Sequence, residues 1–199
     1  MELNRLLLLT AFLLHIKLSR MGPARLVCDN RLILKYISEA KDMEKRVSQC
    51  QELPPLTQPL PLPMVDFSLL EWKLKTNETK RQEIVCHLAL LVDAVTAAQD
   101  QVKQECAAAL LGQLYKKANS FLLLLQTFSW QVSAWQPDCA SWTTPQSHPS
   151  VIFLVYRQLV QGKLRFFFHD LAKDFCQEGS QGSARAPEHP MSSAAARGP

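Results

Sequence analysis

Two proline-rich stretches, residues 51–66 and 134–150, constrain this chain more than any other feature, because they divide an otherwise helix-patterned sequence by a long, a short and a long connection. The first, QELPPLTQPLPLPMVD, carries five prolines, and the second, AWQPDCASWTTPQSHPS, carries three. Each proline removes a backbone donor and pushes the residue before it out of helical geometry. Both stretches are therefore extended connections. The first is too apolar to float free, since Leu53, Leu56, Leu60, Leu62, Met64 and Val65 would form an exposed patch, so it is expected to strap along the helices. At its end Ser68 precedes Glu71 by three residues, a capping-box pattern that predicts a short helical turn through Leu69, Leu70 and Trp72.

Between and beside these stretches the apolar residues recur at three- and four-residue steps, the period of one helix face. A first helix runs from a cap at Asp29 or Asn30 to about Cys50, with Ile33, Tyr36, Ile37, Ala40, Met43 and Val47 on one side and Lys35, Glu39, Lys41, Asp42 and Lys45 on the other. A second, from about Lys80, presents Ile84, Leu88, Leu91, Val95 and Val102. A third follows Cys106 with Leu110, Leu111, Leu114, Ala118, Phe121, Leu122, Leu125 and Phe128. Only the polar run AQDQVKQE separates these two, and a break is expected there because one helix of some fifty residues would far exceed the usual length of about 11–12. Phe153, Tyr156, Val160, Leu164, Phe167 and Leu171 make the stripe of a fourth helix.

A short turn makes neighbouring helices antiparallel, whereas a long overhand connection lets consecutive helices run parallel. The pattern predicts an all-α, long-chain four-helix bundle of up-up-down-down topology with two long crossovers. The six cysteines fit this geometry: Cys28 with Cys176 at one end, Cys50 with Cys106 at the other, and Cys86 with Cys139, a set in which no bridge crosses the bundle. For Cys86, inside a helix beside Val85 and Leu88, a buried free thiol is the alternative reading.

Residues 1–24 read as a secretory signal peptide, with Arg5 before the apolar run Leu6 to Ile16 and small residues Gly22 and Ala24 near the cleavage point. The run is about half the length a membrane-spanning helix needs, so no membrane insertion is expected after cleavage. Residues 25–176 form the bundle domain, and 177–199, poor in large apolar residues, are expected to be disordered. Removing Glu2, Arg5, Lys17 and Arg20 lowers the formal charge from +4 to about +2, and the remaining cations are scattered, which excludes a nucleic-acid footprint. No C-x-x-C, P-loop, G-x-S-x-G or H-E-x-x-H is present, and His87, His148 and His169 are dispersed, so neither metal, cofactor nor catalysis is expected. Asn77-Glu78-Thr79 is an N-glycosylation sequon in an exposed position before the second helix.

The blocks PMVDFSLLEWK (63–73), CAAALLGQL (106–114) and GKLRF (162–166), with RLVCDNRLILKYISEAK (25–41), resemble the erythropoietin and thrombopoietin cytokine family. The first three look like its thrombopoietin branch and the last looks as much like its erythropoietin branch. The resemblance covers residues 25–176, and the family's pairing of first with last cysteine, and of the cysteine ending the first helix with the one before the third, matches Cys28–Cys176 and Cys50–Cys106. It implies a secreted, monomeric ligand that holds two copies of a class I cytokine receptor, the thrombopoietin receptor in particular, and so joins their Janus kinases. Carried across by position, a tighter receptor face would use Asp29, Asp66, Phe67, Lys163 and Arg165. A weaker face would use Arg31 and Lys35 with Lys116, Lys117 and Ser120, where Ser120 replaces the family's basic residue. The chain stops about twenty residues past Cys176, whereas thrombopoietins of mammals continue into a long glycosylated tail.

The independent physical reading of these residues is a positive rim: Arg31 and Lys35 lie one turn apart, and Lys163 and Arg165 interrupt a greasy helix, as charges that steer an acidic partner do. The bland reading is a solvated helix face. Two rivals remain, erythropoietin-like activity and, from another class, a secreted lipid-carrying bundle with Trp72, Trp130, Trp135 and Trp142 in its pocket.

Overall fold

The computed structural model describes residues 27–51, 53–128 and 138–176. The signal segment, the tail, Trp130 and Trp135 lie outside these residues. Six α-helices, a 3-10 turn (Cys139–Trp142), a π segment and two short strands are formed among them. Helix α1 (Asn30–Gln49) starts where Asp29 accepts a hydrogen bond from the Arg31 N–H, and it buries Ile33, Ile37, Ala40, Met43 and Val47 along one stripe. The short α2 (Leu69–Leu74) is capped by Ser68, whose hydroxyl accepts from the Glu71 N–H at 3.5 Å, and it is anchored by Trp72, 2% exposed. Helix α3 (Asn77–Gln101) is capped by Thr76 and α4 (Glu105–Thr127) by Gln104. The break between them falls at Val102–Gln104, where the Gln104 side chain takes the Ala107 N–H and supplies the cap that the polar run lacked in proline or glycine.

The fourth helix is not uniform. It comprises α5 (Ser150–Leu159), a π segment (Val160–Leu164) and α6 (Arg165–Phe175). The expected stripe is buried throughout, from Phe153 and Tyr156 to Phe167 and Leu171. π turns of this kind widen the helix by one residue and recur at functional sites; periodicity alone did not reveal this one.

Cross-helix contacts fix the directions. Asn77, at the start of α3, donates to Asp174 at the end of α6 (2.9 Å), while Lys117 of α4 pairs with Glu39 of α1 (2.5 Å) and Tyr36 meets Phe121 edge-on at 4.8 Å. Cys28–Cys176, Cys50–Cys106 and Cys86–Cys139 are bonded, with Cα separations of 5.8, 5.9 and 5.7 Å. Cys86 is thus no free thiol. The starts of α1 and α3 and the end of α6 share one end of the bundle, and the end of α1 and the start of α4 share the other, so the bundle is up-up-down-down.

The two crossovers do more than strap the helices. Leu60–Pro63 (β1) and Thr143–Gln146 (β2) pair antiparallel, with Leu60 opposite Gln146 and Pro63 opposite Thr143. Leu60 and Leu62 point into the core. The pairing extends at both ends, through Leu56 N–H to the Ser147 carbonyl (2.7 Å) and Met64 N–H to the Trp142 carbonyl (2.9 Å). Three prolines stand in this ladder, and a ladder so short of donors is invisible to strand propensity.

Candidate functional site

The first crossover delivers Asp66 and Phe67 onto the fourth helix. Phe67 stacks on Phe166 (centroids 5.0 Å apart, planes 24° apart), tilts against Trp72 (5.5 Å) and covers Gly162, where even a Cβ would stand 3.5 Å from its ring. Arg165 is exposed, its guanidinium 5.8 Å from the Phe166 ring. Asp66 is exposed beside them. Asp66 precedes Phe67 in the chain and Arg165 precedes Phe166, so an exposed anion and an exposed cation adjoin a half-buried aromatic pair. Asp29 is half-buried at the bundle end, where its carboxylate caps α1.

Lys163 departs from the expected positive rim. It is 4% exposed, and its ammonium donates to Glu83 Oε1 of α3 at 2.6 Å. Residues two apart on a helix point to nearly opposite sides, so Lys163 and Arg165 could not both face solvent. Val160, Leu164 and Phe167, three or four residues away or adjacent, mark its side as the inward one. The charge of Lys163 hid this, because lysine is almost never buried unless paired.

Its partner set was not legible from sequence. Glu83 and His87 stand one turn apart on α3, and both are buried. Glu83 also accepts from Lys75 Nζ at 2.5 Å. His87 Nδ1 lies 2.6 Å from the Glu83 carbonyl and Nε2 lies 3.1 Å from the Met64 carbonyl and 3.5 Å from Lys163 Nζ, while its ring stacks on Trp142 at 5.5 Å. A cavity of about 290 Å³ opens above this cluster, between Asp66, Glu71 and Trp142.

The electrostatics follow from that crowding. Burial pushes the Glu83 carboxyl up, but hydrogen bonds and charge from Lys163 and Lys75 outweigh it and hold the group below its ordinary value. Burial lowers the Lys163 ammonium, with Glu83 opposing. His87 is lowered to about 4, first by burial and then by the neighbouring Lys163 charge. A neutral ring has one N–H for two carbonyls; protonation would serve both, yet would set a second cation against Lys163 in a largely buried site. A second buried cation, Lys80, is taken up by Asp170 (2.8 Å) and lies 5.5 Å from the Trp72 ring.

The second set of candidates lies on α1 and α4. Arg31 and Lys35 are exposed, and Lys35 reaches Glu39 at 3.9 Å. Glu39 also holds Lys117, which sits 5.5 Å from the Tyr36 ring. Lys116 and Ser120 are exposed, with the Ser120 hydroxyl donating to the Lys116 carbonyl at 2.6 Å. Glu39 therefore brings Lys35 and Lys117 together across the two helices. Asn77, expected to be exposed ahead of the second helix, is instead the first residue of α3 and half-buried, its side-chain amide donating to Asp174. Trp72 is buried in the core, while Trp142 is half-buried and stacks on His87 beside a cavity lined by charged residues.

Among the described residues no group of His, Cys, Asp and Glu is placed to hold a metal ion, and no helix is long and apolar enough to cross a membrane. Four long helices with two overhand crossovers define the class: a long-chain four-helix cytokine bundle. The Erythropoietin/thrombopoietin family model matches residues 25–179, and the chain belongs to that family. Thrombopoietin of Canis lupus familiaris is 37% identical over 94% of this chain and 52% of its own length, and that of Rattus norvegicus 39% identical over 83% and 50%. Erythropoietin of Nannospalax galili is 29% identical over 81% of this chain and 90% of its own length. The chain spans about half the length of the thrombopoietins it matches.

Proposed function

We propose that this chain, after removal of residues 1–24, is a secreted haematopoietic cytokine that holds two thrombopoietin receptor chains on separate faces of one bundle, activating their Janus kinases and driving megakaryocyte and thrombocyte production. The observation that carries the reading is the family match across the bundle, joined to the Asp66, Phe67 and Arg165 surface that the first crossover builds on the fourth helix. An anion and a cation rimming a half-buried aromatic pair is the make-up of a receptor contact, an apolar centre with a polar edge. The opposite contact uses Arg31, Lys35, Lys116, Lys117 and Ser120. In the tighter face Asp29 acts as the α1 cap and Lys163 from within the bundle. A glycan at Asn77 would lie at the bundle end where α3 starts.

The test applies the secreted chain to cells bearing either the thrombopoietin or the erythropoietin receptor. Receptor phosphorylation in the first line is expected. A response confined to the second moves the chain to the erythropoietin-like reading, and silence in both sinks the proposal.

A further inference from the structure

The geometry points to Glu83, with Lys163 and His87, as a buried clasp that positions the Met64–Lys75 segment for receptor binding, so that Lys163 serves the tighter face without touching the receptor. The inference rests on the reading of Asp66, Phe67 and Arg165 as a receptor contact. Both ends of the segment converge on one turn of α3. At its start, the Met64 carbonyl abuts His87 Nε2 at 3.1 Å and the Met64 N–H donates to the carbonyl of Trp142, whose ring covers His87. At its far end, just past α2, Lys75 donates to Glu83 at 2.5 Å. Lys163 closes the arrangement from the fourth helix, 2.6 Å from Glu83 and 3.5 Å from His87.

Between these two fastenings lie Asp66 and Phe67, with Phe67 resting on Gly162, the residue before Lys163. The π segment Val160–Leu164 sets both contacts, Gly162 under the aromatic ring and Lys163 into the cluster. A side chain 4% exposed cannot offer its ammonium to a partner without abandoning Glu83. What the cluster can do is fix the pose of a surface segment before the receptor arrives, which removes the ordering cost from binding.

Binding of the receptor ectodomain is measured with a double-mutant cycle of Glu83→Gln and Lys163→Met, beside amide exchange of residues 64–75 and thermal melting. Glu83→Gln leaves Lys163 in place, and it is expected to weaken binding about tenfold, as Lys163→Met does, with the double variant no worse than either single one. Faster exchange confined to residues 64–75 accompanies the loss. Lys75→Met, at the more exposed fastening, gives a smaller loss in the same direction and serves if Glu83→Gln does not fold. Unchanged binding in Glu83→Gln or, failing that variant, in Lys75→Met, with a strong loss in Lys163→Met, would make Lys163 a contact residue and overturn the inference. Arg165→Glu and Phe67→Ala are the separate check: if neither affects binding, the receptor-face reading itself has failed.

Discussion

The two candidate receptor faces are built in opposite ways. The α1 and α4 face is a display on two regular helices, its charges exposed or half-buried and linked through Glu39 by pairs that solvent partly screens. The face on the fourth helix carries the end of a crossover, an irregular stretch from Met64 to Ser68 followed by the six-residue α2, held by charges hidden beneath it. A helix holds its side chains in place through its own backbone hydrogen bonds; an irregular segment needs outside fastening, and here buried ions supply it. The first face should therefore tolerate loss of any one charge, while the second should fail as a unit.

The largest effect should come from Glu83→Ala. It strands Lys163 as an unpaired buried cation, and a loss of about 3–5 kcal/mol in unfolding free energy is expected by chemical denaturation. A loss below about 1 kcal/mol would mean that water reaches the cluster and the contrast between the faces is false.

Acid offers a second, weaker break. His87 is depressed in the folded state to about 4 from its ordinary 6.5, so in that window the unfolded chain binds more protons and stability falls as pH falls. The contribution is complete above pH 6.5 and lost progressively toward pH 4, about 2 kcal/mol of it by pH 5. The groups facing the ring are Lys163, Glu83, the Met64 carbonyl and Trp142. Melting curves of the parent chain and His87→Gln should converge as pH drops from 7 to 5; parallel curves would remove His87 from the account.

The smallest effect belongs to the other face. Lys117→Ala breaks a partly exposed pair with Glu39 and should cost under about 1 kcal/mol, with a further decline on adding salt to the parent. A loss comparable to that of Glu83→Ala would show that α1 and α4 also depend on buried charge.

The helices and their directions were legible because apolar periodicity and proline placement are local signals. The stripes on α1, α3, α4 and the fourth helix are buried where expected, save that Tyr36, Leu122 and Phe128 are only half-buried, and connection lengths gave the topology. The clasp was not legible, since its contacts join Lys163 to Glu83 and His87 across about eighty residues. Nor was the pairing of β1 with β2, whose prolines argue against strand. Lys163 is the intermediate case: its neighbours Leu164 and Phe167 marked an inward side, but a lysine there reads as surface until its carboxylate is known. On α1 and α4 the spacing showed Arg31 and Lys35 one turn apart, but not Glu39 joining Lys35 to Lys117, since that link also spans two helices distant in sequence.

The bridge between Cys28 and Cys176 has a topological consequence. With Cα atoms 5.8 Å apart at a sequence separation of 148, it makes the whole bundle a closed covalent ring. A ring cut once is still one piece. Proteolytic nicking at any single bond within it, including the long crossovers where proteases find extended chain, releases no fragment, and separating the halves requires both a cut and a reductant.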